Sequence, residues 1–297
     1  MLSNKFFKLK QRLAEASIDL RLKAKEFRIY DLGSVALDRL TSRQGYSFKQ
    51  HQAYGLKARQ RFDVYLSHSQ RFAQKPLVVF VYGGAWVRGD KSHYRFIGEA
   101  LSRHGYDVVV INYHHAPEHK FPTYVNDLAQ ALDYLKQHQQ RLGLNTEKIA
   151  LMGHSAGAFN VMSLLYHPHT DQFDLSAVRA VIGIAGPYHF DYLGDKVAED
   201  AFDQSIPYQK VMPYYFVKPN HIQHYLFLAE RDNIVKAQNS HDLHTQLLKQ
   251  GNHSQLAVIP KTGHVTVIGS LSSLFNPFFE TQKKVIQALA HCFIDQN

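Results

Sequence analysis

From Arg61 onward, short runs rich in β-branched and aromatic residues return along the chain: RFDVYL, PLVVFVY, YDVVVINY, KIALMG, AVIGIAG, HYLFLAE and QLAVIP. Longer amphipathic stretches lie between them, at about residues 93–104, 123–139, 155–166, 236–250 and 277–294. Most of the runs are nearly continuous in apolar residues, which suits strands covered on both faces. Strand and helix alternating in this way predict an α/β fold: a mostly parallel central sheet with helices on both faces. Residues 187–220, PYHFDYLGDKVAEDAFDQSIPYQKVMPYYFVKPN, break the rhythm with aromatics and prolines. They read as a small cap-like insertion over one end of the sheet, placed to line a pocket. No internal repeat and no low-complexity linker interrupts the pattern.

Charge divides the chain unevenly. Residues 1–61 hold 14 Lys and Arg against 5 Asp and Glu, whereas residues 62–297 hold 20 of each, so the whole excess of +9 lies at the N-terminal end. The expected organisation is a basic helical extension over 1–45 and one large domain over 46–297. Within the extension, Leu2, Phe6, Leu9, Leu13, Leu20 and Phe27 recur at roughly helical spacing among basic residues. A helix over 1–28 would make a weak contact with an anionic membrane, or dock on the domain with its basic face in water. The interrupted apolar stripe favours docking, and no specific nucleic acid is expected. Cys292 is the single cysteine, which excludes an internal disulfide and a Cys-based zinc site. Neither a membrane-spanning run nor a secretion signal is visible, and a cytoplasmic location is expected.

The stretch KIALMGHSAGAF passes from an expected strand to an expected helix through Gly153-His154-Ser155-Ala156-Gly157. In a G-x-S-x-G turn the serine sits in a strained, crowded bend, so the positions two before and two after must be small. Ser155 is then the candidate nucleophile, and a serine hydroxyl needs a base and an orienting acid. Such turns carry the acid and then the histidine later in the chain. Asp232 follows HYLFLAE in Arg231-Asp232-Asn233, and His264 follows QLAVIP in Lys261-Thr262-Gly263-His264. Glu230 competes with Asp232 but lies closer to its strand. With 19 histidines in the chain, His264 is singled out by its position just past a strand and by the glycine before it.

Acyl transfer at Ser155 would create an oxyanion, best held by preorganised main-chain N–H groups. The stretch VFVYGGAWVRGD places Gly83 and Gly84 at the end of a strand, where glycine permits close approach of the backbone to a ligand. Gly83, Gly84, Ala85 and Ala156 are therefore expected to form the oxyanion hole, with the N–H groups of Gly84, Ala85 and Ala156 as donors. Tyr82, Trp86 and His154, beside these positions, are the expected substrate contacts.

RFDVYL, YGGAWVRGDK, NYHHAPEHKFPTYVNDLAQAL, GHSAGA, RDNIV and GHVTV together resemble the carboxylesterase group of α/β-hydrolases, close to hormone-sensitive-lipase-like and kynurenine-formamidase-like esterases. The likeness spans about residues 60–270 and implies the α/β-hydrolase fold, with hydrolysis by serine, histidine and aspartate. Two departures stand out. Tyr82 occupies the place where the group usually has histidine ahead of the glycines, which bears on loop geometry and pocket shape. His114-His115 stand where Arg-Leu is common; with His119 they offer no carboxylate cluster and, across Pro117, no helical ligand spacing, so no metal is expected. No cofactor is expected either, since no G-x-G-x-x-G follows an early strand.

These observations predict a serine hydrolase acting on a small uncharged or aromatic ester. An arylformamidase cleaving N-formyl-kynurenine is the alternative within the same chemistry, and a small-molecule ester or aryl amide is the expected partner. A third possibility is a catalytically silent hydrolase fold attached through its basic extension. The presence of every expected triad member counts against it.

Overall fold

The computed structural model describes residues 33, 37–170 and 174–293. The basic helix expected over 1–28 lies outside the described residues. Eight strands form one sheet: β1 (Tyr46–Ala53), β2 (Arg61–Ser67), β3 (Leu77–Val81), β4 (Asp107–Ile111), β5 (Ile149–His154), β6 (Val178–Ile184), β7 (Gln223–Ala229) and β8 (Ser254–Ile259). Their order across the sheet is β1-β2-β4-β3-β5-β6-β7-β8. β1 and β2 pair antiparallel, as do β2 and β4, and every later pairing is parallel.

All seven strands read from the sequence are present, and β1 is an eighth. Its sequence, YSFKQHQA, carries no apolar run because it is an edge strand exposed along much of its length. What anchors it is aromatic: Phe48 and Tyr46 lie 4.7 and 5.4 Å from the Tyr65 ring of β2. The central strands β3, β4 and β5 are buried at every position, which explains why their sequences do not alternate.

The chain moves one way across the sheet from β3 to β4 and the other way from β4 to β5. Because parallel crossovers are right-handed, the helices in these two connections fall on opposite faces. Helix Arg95–Arg103 accordingly packs on β2 and β4, while helix Thr123–Gln137 packs with helix Ala156–Tyr166, which lies over β5 and β6. Helix Gln238–Lys249 covers β7 and β8, and helix Thr281–Phe293 closes the fold through β6 and the Tyr106 ring. The last of these begins at Thr281 rather than near 277; the residues ahead of it form turns. The reversal of direction makes a switch point where the carboxyl ends of β3 and β5 lie side by side.

Residues 187–220 form turns and two short 3₁₀ segments, Tyr208–Lys210 and Pro213–Phe216, over that end of the sheet. Pro187, His189, Phe190 and Asp195 from this segment line the cavity described below. Among the described residues, no helix is long and apolar enough to cross a membrane.

Candidate active site

Register brings the two key loops together. Val81 of β3 pairs with Gly153 of β5, so the residues two positions on, Gly83 and Ser155, leave the sheet as neighbours. Gly83 is needed there: a Cβ on it would stand 2.7 Å from the Ser155 Cβ. Ser155 has φ 53 and ψ −124, the strained turn expected of the motif. Its flanking glycines are as crowded as that turn requires. A Cβ on Gly153 would meet the Gly157 carbonyl at 2.4 Å, and one on Gly157 would meet the Val81 carbonyl at 2.0 Å.

Ser155 Oγ lies 2.9 Å from His264 Nε2, and His264 Nδ1 lies 2.8 Å from Asp232 Oδ2. Since a carboxylate only accepts, Nδ1–H donates to Asp232 and Nε2 is left to accept from the serine hydroxyl. The other Asp232 oxygen accepts the N–H groups of Ile234 and Val235 at 2.9 and 2.8 Å, which fixes the carboxylate from behind. Loop pairing places the two residues. The Arg231 N–H donates to the Thr262 carbonyl, and the Thr262 hydroxyl to that of Ile259. His264 opens a short helix, His264–Gly269, where the sequence suggested only a loop. Glu230 points elsewhere, accepting the Lys261 N–H on the exposed side of the loop.

Gly84, Ala85 and Trp86 all have positive φ, at 135°, 51° and 62°. For the last two, which are not glycine, this costs about 1–2 kcal/mol each. The turn faces the serine: Ala85 and Trp86 line the same cavity as Ser155 and Ala156. Ala156 is the first residue of its helix, so its N–H has no intrahelical acceptor, and the helix dipole favours negative charge there.

The cavity above Ser155 has a volume of about 520 Å³. Trp86, Phe190, Ile234 and Val235 give it an apolar lining, with His189, Asp191 and Lys236 among its polar groups. His189 is held at both nitrogens, 2.6 Å from Asp242 and 2.9 Å from the Tyr215 hydroxyl. The Trp86 indole N–H donates to Asn160 at 2.9 Å. The insertion lines this cavity as its sequence suggested, whereas the individual wall residues in it and in the 234–239 loop were not singled out from the sequence.

Two expected substrate contacts are corrected. Tyr82 is fully buried, its ring stacked on Tyr94 and Tyr113, and it does not line the cavity. The chain turns after β3 so that Tyr82 still packs into the core and only the residues after Gly83 reach the site. His154 is also buried, because it is the last residue of β5 and pairs with β6. Its Nε2–H donates to the His264 carbonyl at 3.0 Å, so it braces the histidine loop. Burial, reinforced by the neighbouring His264, pushes the His154 pKa well below the ordinary histidine range and keeps its ring neutral. His114 is paired with Asp127 at 2.7 Å and packs on the His119 ring. Among the described residues no group of three or more His, Cys, Asp or Glu side chains could hold a metal ion.

The sheet order, the strained serine after β5 and the late aspartate and histidine loops define an α/β-hydrolase. The chain belongs to the BD-FAE family, whose model matches residues 62–247. It is 31% identical over 149 residues to the isoprenylcysteine alpha-carbonyl methylesterase of Arabidopsis thaliana, covering 48% of this chain and 35% of that protein. It is 31% identical over 150 residues to the kynurenine formamidase of Drosophila melanogaster, covering 50% of this chain and 48% of that protein. The chain therefore spans between about a third and a half of the length of these curated relatives. Among solved structures, a bacterial heroin esterase superposes with a TM-score of 0.70 at 19% identity, covering 88% of this chain and 89% of the other. Esterase B from Lactobacillus rhamnosis gives 0.70 at 16%, covering 94% and 96%.

Proposed function

We propose that the protein is a serine hydrolase that cleaves small carboxylic esters through an acyl-enzyme. The observation that carries this reading is the unbroken hydrogen-bond chain Asp232–His264–Ser155, ending on a strained serine at a 520 Å³ cavity. Ser155 Oγ attacks the carbonyl carbon while His264 Nε2 takes its proton. Asp232 keeps Nδ1 protonated and stabilises the imidazolium that forms. The oxyanion is held by the N–H of Ala156 and those of Gly84 and Ala85. His264 then gives its proton to the departing alcohol, and a water molecule, activated by the same histidine, releases the acid. A fluorophosphonate probe should label the wild-type chain, and labelling should vanish in Ser155→Ala. A folded wild-type protein that neither labels nor hydrolyses short p-nitrophenyl esters refutes the proposal and points to a silent scaffold.

An arylformamidase reading is favoured by one further pair of observations, the aromatic walls Trp86 and Phe190 and the likeness to a kynurenine formamidase. A formamide carbonyl would be attacked by the same serine. Comparing kcat/KM on N-formyl-kynurenine with that on short acyl esters separates the two.

A further inference from the structure

The turn that carries the oxyanion donors is strained at two consecutive non-glycine residues, Ala85 and Trp86, so something must hold it. Its far side is held by Trp86, whose carbonyl accepts the Ala116 N–H at 3.0 Å and whose indole donates to Asn160. Its near side rests on the Tyr82 ring. A Cβ on Gly89, where the turn comes back, would stand 2.5 Å from Tyr82 Cε2, so the loop closes directly over that ring. The ring ends in a hydroxyl with two partners: Arg59 donates to it at 2.6 Å, and it donates to Asn112 Oδ1 at 2.9 Å.

Both partners also bind the loop itself. Arg59 donates to the carbonyls of Gly89 at 3.0 Å and Tyr113 at 2.7 Å. Asn112 Oδ1 accepts the Lys91 N–H at 2.7 Å, and Asn112 Nδ2 donates to Asp90 at 2.8 Å. Arg59 and Asn112 therefore grip residues 89–91 directly and meet at the Tyr82 hydroxyl. Burial pushes the Tyr82 phenol well above its ordinary pKa, so it keeps the proton it donates to Asn112. Arg59 lies ahead of residue 62, where the match to the family model begins.

We propose that Arg59, Tyr82 and Asn112 form a clamp that sets the position of the oxyanion loop, with Tyr82 and Arg59 as positioning residues for the reaction. The clamp rests on the serine-hydrolase reading above. It acts on main-chain donors that engage the substrate mainly as the oxyanion forms, so its loss affects the transition state more than substrate binding. Tyr82→Phe keeps the ring and its stacking while leaving Arg59 and Asn112 without their shared partner.

The test is steady-state kinetics on a short p-nitrophenyl ester with Tyr82→Phe, Arg59→Gln and the double variant, alongside the rate of fluorophosphonate labelling. The expected result for each single variant is a fall in kcat of about tenfold, smaller than the 10²–10³ for outright loss of a donor. KM should stay within about twofold, the labelling rate should fall in parallel, and the double variant should lose little more than either single one. Wild-type kcat in a folded Tyr82→Phe protein would overturn the clamp and leave the triad standing. Losses that multiply in the double variant, or that appear only in KM, would overturn it as well. Wild-type protein without Ser155-dependent labelling would overturn the clamp together with the reading it rests on.

Discussion

Replacing Gly157 with alanine adds a methyl group where main chain already stands. The new Cβ would lie 2.0 Å from the Val81 carbonyl oxygen and 2.5 Å from that of Tyr82. To reach ordinary contact near 3.4 Å, the helix and the end of β3 must separate by about 1.4 Å. Neither oxygen can turn away as a side chain would, because Val81 is held in β3 between β4 and β5. Gly157 lies two residues after Ser155, and Val81 two residues before Gly83, so the separation opens the gap between Ser155 and the turn proposed to hold the oxyanion. A displacement of about 1 Å in an aligned site costs on the order of 10²-fold in rate. Overpacking of this kind also costs about 1–3 kcal/mol of stability, a fall of roughly 2–6 °C in Tm for a domain of this size. Gly157→Ala is therefore expected to lose about two orders of magnitude in kcat on a short p-nitrophenyl ester, with a lower melting temperature by calorimetry. A folded variant with wild-type kcat and Tm would refute the argument that this contact sets the site.

Asp232→Asn keeps an oxygen for the Ile234 and Val235 N–H groups but turns an amide toward His264, favouring the wrong tautomer; kcat should fall about 10³–10⁴-fold with KM changed by only a few-fold, as steady-state kinetics would show. Asp107 provides a test of stability instead. Burial pushes its pKa up to about 6, with partial relief from the Ser67 N–H at 2.8 Å, against about 3.9 in the unfolded chain. The folded state thus holds more proton at this site between about pH 4 and pH 6, and its contribution to stability falls as pH rises through that window. Asp107→Asn, which still accepts from Ser67, should gain about 1–2 kcal/mol at pH 7, part of the gain being offset by the desolvation of the amide itself, and little at pH 4, in urea unfolding at the two pH values.

Much of the architecture was legible in the sequence, for a physical reason. Strands buried on both faces must be written as apolar runs, and β3 to β7 are written that way. The strand β1 was not legible, since an exposed edge needs only Tyr46 and Phe48 to hold it and its other positions are free to be polar. Ser155 was marked by its glycines, because the bend tolerates nothing larger at 153 and 157. Asp232 and His264 were marked by their places just past β7 and β8.

Direction was not legible. Tyr82 and His154 stand beside the site in the chain, yet the pleat and the turn send both rings into the core, where one lies under the returning turn at Gly89 and the other donates to the His264 carbonyl. Arg59 reaches the same loop from the approach to β2, a partnership across 23 residues that no local pattern encodes. Local sequence determined which segments become strands, which turn is strained and which residue types carry the chemistry, because steric limits and burial act residue by residue. The identity of the wall residues, the grip of Arg59 and Asn112 on residues 89–91 and the meeting of Ser155, Asp232 and His264 were decided by tertiary structure, because they depend on strand order and register, which bring distant loops to one end of the sheet.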